Sequence, residues 1–284
     1  MKNTDYHQLR ETVRNRNYEK DSPPSRVVMV ITNKCNLDCY FCFQDRKKLP
    51  NAMTTKDWIE FIDKVKKNSH FTITGGEPLY YEDFDKVFLH VTKSHTANLI
   101  CNGTRLTEKV CDLLLSRENF RVLSLSIDTI FNTSRDVKKD QYLRMMEALK
   151  HFKKRKKELG SKAILDTKTV VTDENAGDLL DIYKHCVEEL GSETHAFQFL
   201  KGNPLQHADV EHQYHEIFQE SKPYIYKEIR KIAEQFSKIR DYCLENKTIC
   251  YTHPNFISFS DFDQDYYQIL EKKYNKEKFD KNDY

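Results

Sequence analysis

Residues 27–42 read VVMVITNKCNLDCYFC and join a short apolar run to three closely spaced cysteines. The run VVMVIT at 27–32 is predicted to be a buried β-strand, because it is short, apolar and rich in β-branched residues. The cysteines follow it directly with the spacing C-x3-C-x2-C, at Cys35, Cys39 and Cys42. Thiolates are soft ligands that suit zinc or iron–sulfur clusters. The sequence therefore predicts a metal-binding loop at the carboxyl end of the first strand.

The number of cysteines in this motif distinguishes between kinds of metal site. A structural zinc site uses four ligands, and no second pair of cysteines or histidines follows at short spacing. An electron-transfer iron–sulfur cube is normally closed by four cysteines. A cube held by three leaves one iron open for an exchangeable ligand. The spacing favours such an open cluster, and a zinc-binding loop is the alternative.

Outward from this loop, short β-rich runs alternate with longer amphipathic segments, which is typical of βαβ units around a parallel sheet. Strands are predicted at 27–32, 71–74, 97–101, 122–127, 163–171 and 195–200. Helices are predicted at 55–68, 82–94, 107–117, 140–159, 174–190 and 209–239. This pattern predicts an α/β fold, a partial (β/α)6 TIM-like barrel over residues 27–205. Ligands of such folds bind at the carboxyl ends of the strands.

Two flanking segments complete the predicted organisation. Residues 1–26 form an N-terminal arm, and residues 206–284 form a helical C-terminal extension in which only 255–260 resembles a strand.

Composition excludes several classes of partner. The 284 residues include 46 basic and 44 acidic side chains, a net charge of +2, so no overall field favours nucleic acid or a membrane surface. The longest apolar run, at 27–31, is far shorter than the roughly 20 residues of a membrane span. The first 20 residues are polar and lack the apolar region of a secretory signal. We expect a cytoplasmic protein, in a reducing compartment where clustered cysteines serve metals or catalysis.

The cysteine motif, with the aromatic Phe41 just before its last cysteine, resembles the signature of the radical S-adenosylmethionine (radical SAM) superfamily. The resemblance implies a [4Fe-4S] cluster held by Cys35, Cys39 and Cys42. It further implies that S-adenosylmethionine binds the fourth iron through its amino and carboxylate groups and that Phe41 packs near the adenine. In motif style the chain is nearest to peptide-modifying maturases.

A second stretch, TITGGEPLYYEDF at 72–84, places adjacent glycines directly after a predicted strand. Without side chains, Gly75 and Gly76 allow a sharp turn and a close approach of the backbone to a ligand. The stretch resembles the family's GGE motif. The resemblance implies that this backbone and the Glu77 carboxylate hold the methionine amino group of the cofactor.

Two further stretches are similar to cofactor-binding segments of the family. In LSLSIDT at 123–129, the resemblance implies that Ser126 and Asp128 contact the ribose and carboxylate. The resemblance also implies that a basic residue about a dozen positions later pairs with that carboxylate, which favours Lys138 and leaves Arg135 as its competitor. In ICNGT at 100–104, Asn102 is expected to shape the turn beneath the cofactor.

Other residues are given smaller roles. Cys101 and Cys111 are predicted to be small buried residues rather than ligands. For Lys168, on the inward face of the fifth strand, an ordinary strand position is favoured over contact with cofactor or substrate. Peptide-modifying relatives carry extra C-terminal cysteines for auxiliary clusters, but Cys243 and Cys250 are too few, so a single cluster is predicted.

The resemblance implies an enzyme that reductively cleaves S-adenosylmethionine to a 5′-deoxyadenosyl radical, which abstracts hydrogen from a substrate. A flavodoxin or ferredoxin electron donor is implied. A ribosomally made peptide is the favoured substrate, and a small molecule such as a nucleotide or aminosugar is the alternative. A hypothesis of another class is a non-catalytic iron–sulfur redox or regulatory protein. The sequence identifies no catalytic residue.

Overall fold

The computed structural model describes residues 26–42, 53–200, 226–253 and 257–258. Within these ranges, eight strands form one sheet in which each strand pairs with the one before it in the chain. In chain order, β1 to β8 are Arg26–Val30, His70–Thr74, Thr96–Cys101, Phe120–Ser126, Ile164–Val171, Thr194–Phe199, Cys250–His253 and Ile257–Ser258. The first seven are parallel, and β8 is antiparallel to β7. The described strands end at β8 without pairing back to β1, so the sheet is open.

Helices connect the parallel strands, as crossover connections require. In chain order, α1 to α6 are Thr55–Lys64, Phe84–Ser94, Glu108–Leu115, Lys139–Glu158, Leu179–Lys184 and Ile229–Asn246. The fifth continues as a π-helical turn, His185–Glu189. Short 3-10 segments, Pro78–Tyr80 and Ile130–Arg135, follow β2 and β4. Among the described residues, no helix combines the length and apolar character that crossing a bilayer requires.

Strand residues alternate between two different environments. One face of the sheet, called the outer face, packs under the helices and carries fully buried residues such as Phe71, Leu99 and Leu123. The opposite face, called the inner face, is more polar and partly exposed. On β1, Val28 is 58% exposed, whereas its outer-face neighbour Met29 is 1% exposed. Among the described residues, the helices therefore pack on the outer face, and the inner face is the more exposed one.

The structure confirms the predicted α/β fold with an open, partial barrel-like sheet. All six predicted strands are present, with boundaries that agree to within two residues. The seventh parallel strand, β7, was not predicted, and β8 falls inside the segment 255–260 that resembled a strand. Of the helix predicted at 209–239, residues 209–225 lie outside the described residues, and the observed helix is α6. The predicted arm also lies outside them, apart from Arg26 at the start of β1.

Candidate functional site

The cysteine loop, residues 32–42, leaves the carboxyl end of β1. Cys39 is buried, whereas Cys35 and Cys42 are partly exposed. The loop is turned locally by two hydrogen bonds: the Cys42 N–H donates to the Cys39 carbonyl oxygen at 3.0 Å, and the Leu37 N–H approaches the Cys35 sulfur at 3.4 Å. The three thiols of the motif therefore lie on one compact loop at the edge where ligands of parallel sheets bind.

The two glycines after β2 form a seat for this loop. The Gly76 N–H donates to the Thr32 carbonyl oxygen at 2.7 Å, and the Glu77 N–H donates to the Lys34 carbonyl oxygen at 2.9 Å. A Cβ atom on Gly75 would lie 2.4 Å from the Thr32 oxygen, and one on Gly76 would lie 2.3 Å from the Lys34 oxygen. The space left by the missing side chains is thus filled by the backbone of the cysteine loop.

Glu77 joins the carboxyl ends of β2 and β3 from a fully buried position. Its Oε2 accepts the Asn102 N–H at 2.7 Å, and its Oε1 accepts the Leu79 N–H at 3.1 Å. Burial raises the pKa of Glu77 to about 7, against the lowering effect of these two hydrogen bonds and of more distant guanidinium groups. Both carboxyl oxygens therefore serve the fold in this structure.

Asn102 links the third strand to the cysteine loop. Its side-chain Nδ2 donates to Asn36 Oδ1 at 3.1 Å and lies 3.8 Å from the Cys35 sulfur. Its Oδ1 accepts the N–H and the hydroxyl of Thr104 at 2.9 and 2.6 Å. These contacts fix the amide so that its N–H group points toward a thiol of the motif.

Arg135 lies against the cysteine loop. Its guanidinium pairs with the buried Asp128 carboxylate, approaches the Cys39 sulfur at 3.7 Å and stacks over the Phe41 ring at 5.1 Å. Asp128 is held from its other oxygen by the Val170 N–H at 2.6 Å. Burial raises the pKa of the Cys39 thiol, while the charge of Arg135 acts in the opposite direction.

The segment between β4 and α4 explains how Arg135 reaches this position. Phe131, Asn132 and Asp136 have positive φ angles of 61°, 56° and 56°, which fold the chain back on itself. The Asn132 side chain donates to the Ser126 carbonyl oxygen at 2.8 Å and accepts the Asp128 N–H at 3.0 Å. Asn tolerates this backbone conformation better than most residues because its short side chain can bond locally.

Lys138, the first choice of sequence reasoning, is placed elsewhere. It caps the N-terminal end of α4, where it is exposed and its N–H donates to Gln141 Oε1 at 3.1 Å. Of the two basic candidates, Arg135 is the one that contacts the cysteine loop. Ser126 is partly exposed on the inner face at the end of β4.

Sequence reasoning missed a second polar group on the inner face. Asp166 on β5 accepts hydrogen bonds from the hydroxyls of Ser124 and Thr194 at 2.6 and 2.7 Å. The Lys168 ammonium lies 3.4 Å from the same carboxylate. The signal in the sequence was the pair of charges at alternate positions of an otherwise buried strand.

The remaining cysteines lie in the core. Cys101 and Cys111 are buried, and burial raises the pKa of both thiols, as expected of residues that are not ligands. Cys243 and Cys250 are also buried, and the Cys243 thiol donates to the Tyr183 hydroxyl at 3.3 Å. Over the described ranges, no three His, Cys, Asp or Glu side chains converge to hold a single metal ion.

The donor set fits an iron–sulfur cluster. Cysteines that hold a cube bind different irons, so their sulfurs need not converge on one point as they would around zinc. Two of the motif sulfurs are approached by N–H donors, Cys35 by Asn102 and Cys39 by Arg135. Such donors stabilise the thiolate form and tune cluster potentials.

The comparison with protein families agrees with this geometry. The sequence profile of the Radical SAM superfamily matches residues 29–186, more than half of the chain. The chain belongs to this superfamily. The matched region begins in β1, includes the cysteine loop and ends after α5.

Individual curated proteins are also similar to this chain in sequence. The chain is 26% identical over 190 residues to the sporulation killing factor maturation protein SkfB of Bacillus subtilis, a match that covers 64% of this chain and 43% of that protein. It is 29% identical over 108 residues to a probable GTP 3′,8-cyclase of Archaeoglobus fulgidus, covering 36% and 35%. The chain thus spans less than half the length of these two curated relatives.

Solved structures share the fold. The crystal structure of Streptococcus suis SuiB bound to precursor peptide SuiA superposes with a TM-score of 0.59 at 18% identity, covering 88% of this chain and 53% of that one. SuiB has also been solved with S-adenosylmethionine, with the same TM-score at 17% identity. At these identities the likeness extends to the fold alone.

Proposed function

We propose that this chain is a radical SAM enzyme that acts on a ribosomally made peptide. The proposal is that it cleaves S-adenosylmethionine reductively and that the resulting 5′-deoxyadenosyl radical abstracts hydrogen from the substrate. The observation that carries it is the buried connection of Cys39, Arg135 and Asp128 behind a three-cysteine loop in a chain of this superfamily. Three free thiols suit the reducing cytoplasm, where we place the activity.

Cys35, Cys39 and Cys42 would hold a [4Fe-4S] cluster. When bound, this cluster supplies the electron that cleaves the sulfonium of S-adenosylmethionine. The cluster must work at the low end of the range of potentials known for such centres. A flavodoxin or ferredoxin is therefore proposed as the electron donor.

The chain's own residues hold the loop in place. Gly75, Gly76 and Glu77 bind the loop backbone and the turn after β3, which fixes the start of the cysteine motif. Arg135 covers Cys39 and Phe41 from the other side with a charge balanced by Asp128. Polar groups that are fixed before the reaction need no reorganisation during it. Phe41, Ser126 and Asp128 stay candidates for contact with the cofactor, as does Lys138.

A peptide substrate is supported by two relatives. SkfB is named a maturation protein of a killing factor, and SuiB is described in complex with a precursor peptide. In the part of the chain that the structure describes, the inner face of the sheet is partly exposed and carries polar side chains such as Asp166 and Lys168, which suits a substrate with many amide groups. A short reading frame in the neighbouring genes would support this choice.

A small-molecule substrate is the second candidate. The observation that favours it is the similarity to probable GTP 3′,8-cyclases, which reaches 31% identity over 86 residues for the protein of Pyrobaculum aerophilum. These matches cover about a third of the chain. A non-catalytic iron–sulfur protein is the remaining alternative.

The test is anaerobic reconstitution with iron and sulfide, followed by dithionite and S-adenosylmethionine. Wild-type protein should form 5′-deoxyadenosine, and Cys39→Ala should form none. Cys111→Ala is the matched control, because Cys111 is equally buried but lies outside the motif against the Ala148 carbonyl oxygen. It should retain iron and activity.

Two results would overturn the proposal. One is wild-type protein that binds an iron–sulfur cluster and yields no 5′-deoxyadenosine, which would favour the non-catalytic alternative. The other is a zinc-containing protein whose metal content is unchanged in Cys39→Ala.

A further inference from the structure

The inner face carries a polar cluster that connects three neighbouring strands. Asp166 is 8% exposed and accepts hydrogen bonds from Ser124 on β4 and Thr194 on β6, its register partners on either side. Both hydroxyls lie within 2.7 Å of its carboxylate oxygens. Burying a carboxylate among neutral donors is costly unless a cation lies nearby. That cation is Lys168.

Lys168 stands two residues further along β5, nearer the carboxyl end of the strand and on the same face as Asp166. Its register partners are Ser126 on β4 and Ala196 on β6. Its side chain is 27% exposed, while the Asp166 side chain is 11% exposed. An ammonium group has three N–H donors. One faces Asp166, and the side chain is partly exposed on the inner face beside the end of β4.

The charge of this ammonium is balanced. Asp166 neutralises Lys168 in the same way that Asp128 neutralises Arg135. Neither pair contributes surplus positive charge to the site. A triphosphate requires such charge, usually from several cations or a metal ion. A neutral carbonyl oxygen requires only an oriented N–H donor.

We propose that Lys168, positioned by Asp166, donates a hydrogen bond to a backbone carbonyl oxygen of the substrate peptide. The inference rests on the proposed function and assigns it a substrate-binding residue beside Ser126, on the inner face. Lys168 selects amide-rich, uncharged substrate segments and holds them at the carboxyl end of the sheet. Asp166 acts through Lys168 and is a positioning residue.

The experiment uses reconstituted full-length protein with a defined pool of short N-acetylated peptides, deuterated at their Cα and Cβ positions. Ribose-deuterated GTP is the competing probe. Hydrogen abstraction is measured as deuterium in 5′-deoxyadenosine by mass spectrometry. For Lys168→Met, the KM for the reactive peptides should rise about 10- to 100-fold, with a smaller change in kcat, the effect of losing one hydrogen bond from a charged donor.

Three further variants test the hydrogen-bond donors of Lys168 and its pairing with Asp166. Lys168→Arg keeps the donors and should recover most of the affinity. Lys150→Met removes an exposed lysine from α4 and should match the wild type. Asp166→Asn keeps the size of the side chain and one acceptor oxygen, its NH2 group requires one of the two hydroxyls to turn and accept, and it leaves the ammonium unbalanced, so the KM should fall for peptides with acidic side chains and rise for neutral ones. A purely structural role for Asp166 would not shift this preference.

Failure of this inference can be told apart from failure of the proposed function. Absence of 5′-deoxyadenosine from the wild-type reaction would overturn both. The inference alone is overturned if peptide turnover is unchanged in Lys168→Met, or if the KM for S-adenosylmethionine rises instead of that for the peptides. Transfer from GTP but not from peptides would also overturn it, as would 5′-deoxyadenosine formed without transfer from either probe.

Discussion

Substitution of Gly76 by alanine tests the view that the cysteine loop is seated on the turn after β2. The added Cβ would lie 2.3 Å from the carbonyl oxygen of Lys34 and 2.8 Å from that of Asn33, whereas real Cβ contacts are essentially never shorter than 3.0 Å. Both obstructing atoms belong to the backbone, so no side chain can rotate away. The loop must retreat from β2.

Displacement of the loop weakens backbone hydrogen bonds as well as packing. The bonds from Gly76 N–H to the Thr32 oxygen and from Glu77 N–H to the Lys34 oxygen lie on either side of the new methyl group. Overpacking costs about 1–3 kcal/mol, and a weakened backbone hydrogen bond adds about 1 kcal/mol. We expect Gly76→Ala to lose about 2–4 kcal/mol of stability and to retain much less iron than the wild type after reconstitution.

The assay is urea denaturation followed by iron analysis of anaerobically reconstituted protein. Gly177→Ala is the matched control, since no heavy atom lies within 4 Å of the position its Cβ would take. That variant should equal the wild type or gain up to about 1 kcal/mol, because alanine restricts the unfolded chain. If Gly76→Ala keeps the stability and the iron content of the wild type, the view that the cysteine loop packs on the turn after β2 is refuted.

Three further predictions concern buried polar groups. Glu77 should contribute about 3 kcal/mol more to the free energy of unfolding at pH 4.5 than at pH 7, because folded Glu77 holds its proton up to a pKa of about 7 and the unfolded chain releases it near 4.5; in urea denaturation, the stability of the wild type minus that of Glu77→Gln should therefore fall by this amount between the two pH values, and an unchanged difference would contradict the burial of a protonated carboxyl. Arg135→Met should lose about 3–5 kcal/mol by leaving Asp128 buried and unpaired, whereas Lys138→Met should stay within about 0.5 kcal/mol; equal losses in thermal unfolding would contradict the assignment. Tyr226→Phe should lose about 2 kcal/mol in urea, since the hydroxyl bonds one backbone N–H and one backbone carbonyl, each at 2.9 Å; an unchanged midpoint would show that water replaces it.

The strands that could be read from the sequence are those whose own residues are apolar. The runs that became β1 to β6 carry enough buried side chains to predict a strand without knowledge of their neighbours. β7 does not. Its four residues, Cys-Tyr-Thr-His at 250–253, are too short and too mixed for a periodic signal. They form a strand because β6 offers an open edge with which to pair.

The site also combines features that local sequence predicts with features that depend on distant parts of the chain. That the three cysteines and Glu77 lie at the same end of the sheet could be predicted from local motifs, because both stretches directly follow predicted strands. That Arg135 rather than Lys138 contacts the cysteine loop could not be predicted, because counting positions along the chain does not reveal three residues with positive φ. The role of the glycines was also only partly predictable. The sequence predicts that Gly75 and Gly76 let the backbone approach a ligand closely. In the structure, the space beside them is filled by the backbone of the cysteine loop, about 40 residues earlier in the chain.

The sequential order of the sheet has a consequence for how the protein is made. Each strand meets its partner as soon as the next unit emerges from the ribosome, since every new strand is added to the growing edge. The glycine seat, Glu77 and Asn102 all lie at or before residue 102, whereas Arg135 and its partner Asp128 follow later in the chain. The cysteine loop can therefore be seated early in translation, with the cover over Cys39 added afterwards.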